Sequence, residues 1–498
     1  MTDLTAWGIF TSLWLGLIIY TLLSTLHTYY RLGNIPGPNP FIPPNIFAGI
    51  ALPVKHFKDL AKKHGRIYLY WPGWIFTKPM VFIADVKAVR QVLTDVKTFT
   101  KGPDYTVRFA VGLGKGLVTT VGEEHKKMRG CCTRFFVKKS IDKLVPIIQK
   151  NVYRLFEDLE LVTTGPDGIQ NIRKGNEDFN IMYFCHALTF RSISNIVYGG
   201  DLSYCLPYEK EIMEDISMGQ RIIGTRIFFK APILEFDPSV KHIRDRLQIY
   251  YAVFDRLVEE RKRVFRSSDE KTKNEEPDDI LRMMIDEKIP RIDMYEQIQT
   301  IIFAGFETTS TFLSYALYRI AKFPLVQERI REEVLDLMGD RTELTPDDLP
   351  KLKYLSCVFK ECMRWLAIIP ALTRVTTKDV DVTTSDGKCV RIPKDADIIL
   401  PFYLLNFSED VWKNPNDFVP ERMEVVPDLQ SVRHGFLPFS YGTRSCVGNL
   451  LAFQESQVAV AHLLRNFRLD RVDGFRPNTT LGISTVSSNG MRLKLVAL

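Results

Sequence analysis

From Ala6 to Leu26 the chain reads AWGIFTSLWLGLIIYTLLSTL, apolar and free of charge. These twenty-one residues, wound as a helix, reach roughly 31 Å, about the hydrocarbon thickness of a bilayer. The pattern predicts a transmembrane helix within an N-terminal anchor, residues 1–30. No basic run precedes it and no small-residue cleavage site follows before Arg31, which argues against a removed signal peptide. The next stretch, NIPGPNPFIPP, carries five prolines, which stop a helix and stiffen a hinge over residues 31–45. Residues 292–323 form a long apolar run closed by Pro324 and predict one helix. After Val447, the spacing of Leu450, Leu451, Phe453, Val458, Val460, Leu463 and Leu464 predicts a second, largely buried helix. The segment RSSDEKTKNEEPDD, residues 266–279, is polar enough to be a surface loop. No repeat or long linker divides residues 46–498, which read as one large domain.

Composition narrows the function classes. The 498 residues are 45% apolar and 25% charged, an ordinary globular balance. The net charge of +7 is spread along the chain and mixed with acids, unlike the basic patches that bind nucleic acid. It suits an acidic protein partner or anionic lipid better. Eight cysteines include no C-x-x-C pair, so a structural zinc site has no support, and reduced cysteines facing the cytosol are expected. Arg31 and the lysines after it, against Asp3 before the apolar run, place the body on the cytosolic side.

The chemistry concentrates around Cys446. The preceding segment FLPFSYGTRS is rich in Pro, Gly and Ser and reads as a loop, so Cys446 is expected at the N-terminus of the second helix. Backbone N–H groups and the helix dipole lower a thiol's pKa there. Gly442 permits a tight turn, and Gly448 lets backbone approach a flat ligand. Phe439 can lie against such a ligand, and Arg444 can neutralise an anionic edge. Taken alone, a lone cysteine is more often a buried structural residue.

The whole string, Phe439-Ser440-x-Gly442-x-Arg444-x-Cys446-x-Gly448, resembles the heme-binding loop of the cytochrome P-450 family, in its membrane-anchored microsomal form. That resemblance implies heme b (iron protoporphyrin IX) as cofactor, with Cys446 as the iron ligand. It also implies a mainly α fold with a smaller β-rich region, after the N-terminal helix. Three further stretches match the family in order. Ala304-Gly305-Phe306-Glu307-Thr308-Thr309 resembles its oxygen-binding helix, where Thr308 and Glu307 would serve oxygen activation and relay protons. Two plainer readings of that stretch stand beside it, a solvated face and a threonine bonded back to a carbonyl. Gly305 beside Thr308 also fits a locally loosened helix. Glu361 and Arg364, with Arg422 in FVPERM, resemble the family's structural triad. His125 and Arg129, one turn apart in GEEHKKMRG, and Arg374 match positions that contact the heme propionates, although the family often has Trp where His125 stands. Ordinary surface charge is the bland reading of all three.

As a family member the chain would insert one oxygen atom from O2 into a lipophilic substrate such as a sterol, a fatty acid or another lipid. Electrons would come from a separate NADPH-cytochrome reductase, with cytochrome b5 as a further partner. Lys126, Lys127, Lys138, Lys139 and Arg433 would meet the acidic face of that reductase. The implied location is the endoplasmic reticulum membrane, single-pass, with the catalytic domain in the cytosol. Pocket residues are implied near 109–113, 221–229, 301–304, 368–372 and 483–486, with Arg221 and Arg226 open to a substrate carboxylate or to solvent. Two other readings stay open: a heme-thiolate isomerase or dehydratase, and a non-catalytic heme-binding protein.

Overall fold

The computed structural model describes residues 53–71, 79–165, 168–172, 176–199, 239–267, 279–426, 428–431 and 435–498, with 26–38 and scattered positions in 12–24 and 211–223. Arg221, Arg226, Arg433, residues 39–45 of the hinge and most of the polar loop lie outside them. So does much of the segment 6–26. No helix among the described residues is long and apolar enough to cross a membrane, so the expected transmembrane helix is not supported. The reason is one of extent: the described residues there are interrupted and offer no continuous apolar span, although those from 12 to 24 are helical.

The helices that build the site are α1 (Pro53–His64), α2 (Val86–Thr94), α3 (Gly122–Phe135), α4 (Val145–Asp158), α5 (Ile181–Tyr198), α6 (Arg291–Lys322), α7 (Pro324–Met338), α8 (Lys353–Trp365) and α9 (Asn449–Asn466). The strands around it are β1 (Ile67–Tyr70), β2 (Met80–Ile83), β3 (Phe99–Thr100), β4 (Ala371–Thr376), β5 (Asp397–Pro401), β6 (Phe467–Arg471), β7 (Thr479–Leu481), β8 (Thr485–Ser487) and β9 (Arg492–Ala497). The fold is mainly helical with small sheets, as expected.

Helix α6 departs from its predicted bounds by one residue at each end. Phe306, Leu313, Leu317 and Ile320 recur on one face at helical spacing and are fully buried. Burying each such side chain contributes about 1.5–3 kcal/mol. The face packs on α5, and at its closest point glycine is required: a Cβ on Gly305 would lie 2.8 Å from Ile193 Cδ1. Pro324 ends the helix and opens α7. On α7, Glu333 accepts from Tyr354 N (2.7 Å) and Leu355 N (2.9 Å), satisfying the open amides of α8.

The largest sheet runs β1-β2-β5-β4-β3. Strand β5 pairs parallel with β2 and antiparallel with β4, which sets Arg374 opposite Ile398. Leu32 and Ile35 plug into the core of this sheet, and Leu69 N donates to Pro36 O at 2.8 Å. The start of the hinge is therefore seated on the body. Strands β7 and β8 form a hairpin. Its base is tied to α6 by Tyr315 Oη and Thr479 Oγ1, 2.9 Å apart.

Candidate functional site

The cysteine loop is built by backbone geometry. Ser440 has φ 61° and Gly442 φ 75°, two left-handed residues close together. A Cβ on Gly442 would sit 2.8 Å from Leu93 O, so no side chain fits there. The turn brings Cys446 N to Phe439 O at 2.9 Å. Helix α9 starts at Asn449 with Gly448 as its cap, so Cys446 stands ahead of the helix rather than in its first turn.

Burial pushes the Cys446 thiol up, while the Gly448 N–H and the Arg129 guanidinium pull it down. The sequence predicts a lowered thiol; desolvation outweighs the two stabilising groups here. Yet Cys446 is exposed by surface area. A desolvated residue with exposed surface faces a hollow that protein encloses. The region around Gly448 agrees: a Cβ there would meet only Phe136 Cε1 at 3.8 Å and Cys446 Sγ at 4.0 Å. Protein packing therefore does not itself require a glycine at this point. Phe439 packs, half-buried, on the main core beside the loop.

Four cations converge near this hollow from distant parts of the chain. Arg129 Nη1 on α3 donates to Ser445 O at 2.7 Å, which ties the helix to the cysteine loop. Arg444 Nη1 donates to Thr120 O at 2.9 Å, and Arg374 Nη1 to Thr373 O at 2.7 Å. Lys101, just past β3, donates to Val118 O. Burial, then Arg374, Arg444 and Arg129, holds the Lys101 ammonium well below its usual range. Burial, then Arg374 and Arg129, brings Arg444 down to about 10. Among the described residues no carboxylate pairs with any of the four. His125 is buried beside them, and burial with Arg444, Lys101 and Arg129 lowers it to about 3, so its ring is neutral. A crowd of like charges costs energy unless an anion joins it. This donor set fits a flat ligand with carboxylate arms, next to a sulfur that can hold a metal.

Lys101 was not legible in the sequence, since a lysine in FTKGP carries no motif. Its role is seen only once β3 and β4 pair.

On α6, Thr308 Oγ1 donates back to Ala304 O at 2.6 Å, the plainer of the readings for that residue. The helix is continuous through Gly305, whose missing side chain serves contact with α5 rather than a loosened turn. Glu307 is buried, and its Oε1 accepts from Ser484 Oγ at 3.5 Å. Nearby, Tyr105, Phe109, Leu113 and Ile223 form an apolar cluster with Val118, Phe303 and Ile483 packed against it. Tyr105 and Phe109 stack with centroids 5.3 Å apart. The helical segment carrying Tyr105 and Phe109 leads into residues fixed to α6, where Gln297 Oε1 accepts from Leu117 N at 3.0 Å.

The expected triad forms. Arg364 grips Glu361 with two bonds of 2.8 Å, both side chains fully buried. Arg422 Nε lies 3.2 Å from Glu361 Oε1, and Val419 N donates to the same oxygen at 3.0 Å. Arg364 Nη1 also reaches Asn406 O and Pro415 O, both at 2.8 Å.

Known proteins resemble this chain along most of its length. Residues 35–492 match the family model described as Cytochrome P450. The chain is 26% identical to cytochrome P450 4d2 of Drosophila melanogaster, over 95% of this chain and 96% of that protein. It is 25% identical to cytochrome P450 3A16 of Mus musculus, over 90% of this chain and 88% of that one. With cytochrome P450 4A24 of Sus scrofa it shares 34% identity over 43% of its length and 42% of the relative's.

Proposed function

The chain belongs to the cytochrome P450 family, a family of heme b monooxygenases, and on that premise we propose that it inserts one oxygen atom of O2 into a lipophilic substrate, with electrons from a separate NADPH-cytochrome reductase. The observation that carries the reading is the pairing of an enclosed but accessible sulfur at Cys446 with four cations that meet no carboxylate among the described residues.

Cys446 is the iron ligand. Arg129, Arg374, Arg444 and Lys101 hold the carboxylate arms of the cofactor, and neutral His125 adds a hydrogen bond. Phe439 and the side-chain-free Gly448 flank its face. Heme on a thiolate supplies the electron density that favours O–O cleavage. The substrate gains one oxygen atom at a C–H bond and the other leaves as water, which consumes two electrons and two protons. Glu307 relays those protons, and Thr308 holds a hydrogen bond beside it. The Thr308 hydroxyl, turned by its bond to Ala304, leaves its lone pairs free to accept a proton carrier at Oγ1. The apolar cluster of Tyr105, Phe109 and Leu113 seats the substrate and excludes water. Its character suits a sterol, a fatty acid or another lipid.

Residues 1–30 act as a membrane anchor, 31–45 as a hinge and 46–498 as the catalytic domain, with the body on the cytosolic face of the endoplasmic reticulum. Exposed Leu15, Ile19, Tyr20 and Leu23 at helical positions support contact with lipid. Exposed Lys126, Lys127, Lys138 and Lys139 support docking of an acidic reductase, with cytochrome b5 as a second user of that face.

The test is the reduced, carbon monoxide-bound difference spectrum of the purified chain beside Cys446→Ser. A strongly red-shifted Soret band lost in the variant is expected. Heme-free protein, or one spectrum from both, would overturn the assignment.

A further inference from the structure

The hairpin turn between β7 and β8 meets the acid of α6 in a way that sequence motifs do not mark. Its backbone is bolted to the segment after α8: Thr485 N donates to Ile368 O at 2.8 Å and Thr485 Oγ1 to Ala367 O at 2.7 Å. Gly482 N closes the turn on Ser484 O at 3.0 Å. With Tyr315 and Thr479 fixing the hairpin base, the turn has little freedom. It presents two neighbours to different tasks. Ile483 packs on the apolar cluster beside Phe303. Ser484, fully buried, points its hydroxyl at Glu307 Oε1, 3.5 Å away.

We propose that Ser484 is a positioning residue for Glu307, setting the orientation of its carboxyl for proton transfer, and that the rigid hairpin is what fixes Ser484. This rests on the reading of Glu307 as a proton relay. A carboxyl that must accept and release protons toward one place needs a preferred rotamer. In a buried setting, a donor on a rigid turn supplies that preference without adding charge. The plainer alternative is a serine whose hydroxyl is merely satisfied by whatever lies near it. The two differ in what its removal does to Glu307.

The experiment uses the heme-loaded full chain and four variants: Ser484→Ala, Ser484→Thr, Glu307→Gln and the double variant Ser484→Ala/Glu307→Gln. Unchanged carbon monoxide spectra establish that each is folded and loaded. Infrared difference spectra of the resting protein identify the Glu307 carboxyl band as the one lost in Glu307→Gln. With reductase and NADPH, hydrogen peroxide released per NADPH oxidised reports how well protons are delivered. Ser484→Ala is expected to shift the carboxyl band and change the peroxide share about twofold or more, in the direction of Glu307→Gln. Ser484→Thr, which keeps the hydroxyl, returns both toward the parent. The double variant shows no more than Glu307→Gln alone. A carboxyl band unmoved in Ser484→Ala overturns the proposal, as does an effect that adds fully to that of Glu307→Gln. If Glu307→Gln leaves the peroxide share unchanged, the relay itself falls, while the band still decides whether Ser484 holds the carboxyl. Should Ser484→Ala fail to load heme, Ser484→Cys carries the same two readouts with a weaker donor.

Discussion

Two ionic clusters in this protein, one fully buried at its centre and one half-buried, are built on opposite terms. The triad of Glu361, Arg364 and Arg422 is closed: its acid is gripped by two arginines, and the spare guanidinium hydrogens reach backbone carbonyls. The cluster of Lys101, Arg129, Arg374 and Arg444 is open: among the described residues it holds one sign of charge and answers it with carbonyl dipoles, the Ser445 hydroxyl and the Tyr105 ring rather than a carboxylate. A closed cluster locks structure; an open one waits for a ligand. Burial alone does not tell them apart, since Arg364 and Arg374 are both buried. The presence of the counter-charge does.

The contrast breaks most sharply at the triad. Arg364→Ala strips Glu361 of its fully buried partner and leaves only Arg422 beside it, and removing one partner of a buried pair costs about 3–5 kcal/mol. Urea unfolding is expected to show that loss whether or not heme is bound. Lys101→Met should act with opposite signs in the two states. The heme-free chain gains stability, because a cation leaves a like-charged crowd. The loaded chain releases heme more readily, by roughly tenfold or more for a charged hydrogen bond worth about 1.5–3 kcal/mol. Heme transfer to an acceptor protein and melting of the heme-free form measure the two halves.

A third buried charge sharpens the comparison, because it is resolved by protonation. Burial lifts the Glu455 carboxyl to about 8, with the Ser192 hydroxyl pulling the other way. The folded chain then keeps a proton that the unfolded carboxyl releases near its ordinary value of 4.5. This group's contribution to stability is complete below that value and is lost as pH rises through about 8. Glu455→Gln, neutral throughout, should flatten the stability curve across that window in denaturation series. The smallest effect belongs to charges that stay in water. Lys126→Ala with Lys127→Ala should leave stability within about 0.5 kcal/mol and weaken the salt dependence of reductase-driven turnover.

The legible parts of this molecule are those written locally. The bounds of α6 follow from its apolar period and from Pro324, and the cysteine loop from a string in which Gly442 has no room for a side chain. Glu361 and Arg364 stand three residues apart on one helix, so their pairing was legible too. What escaped depends on chain segments far apart meeting in space. Lys101 reaches the site because β3 pairs with β4, and Ser484 meets Glu307 because a hairpin is bolted to the end of α8. The thiol of Cys446 departs from expectation for a similar reason: the local amides favour ionisation, but the surrounding protein removes more solvation than they return. For Gly305 the sequence offers a locally loosened helix, and only the approach of Ile193 shows that the missing side chain serves close packing instead.

The four cations lie at positions 101, 129, 374 and 444, with Cys446 two residues beyond the last. During synthesis the first two leave the ribosome long before the others exist. No nascent intermediate can therefore assemble this grip, and the carboxylates of the cofactor can be held from all sides only when nearly the whole chain has emerged. Cofactor capture in this protein is a closing event on a finished polypeptide, joining its early and late segments much as a single long-range crosslink would.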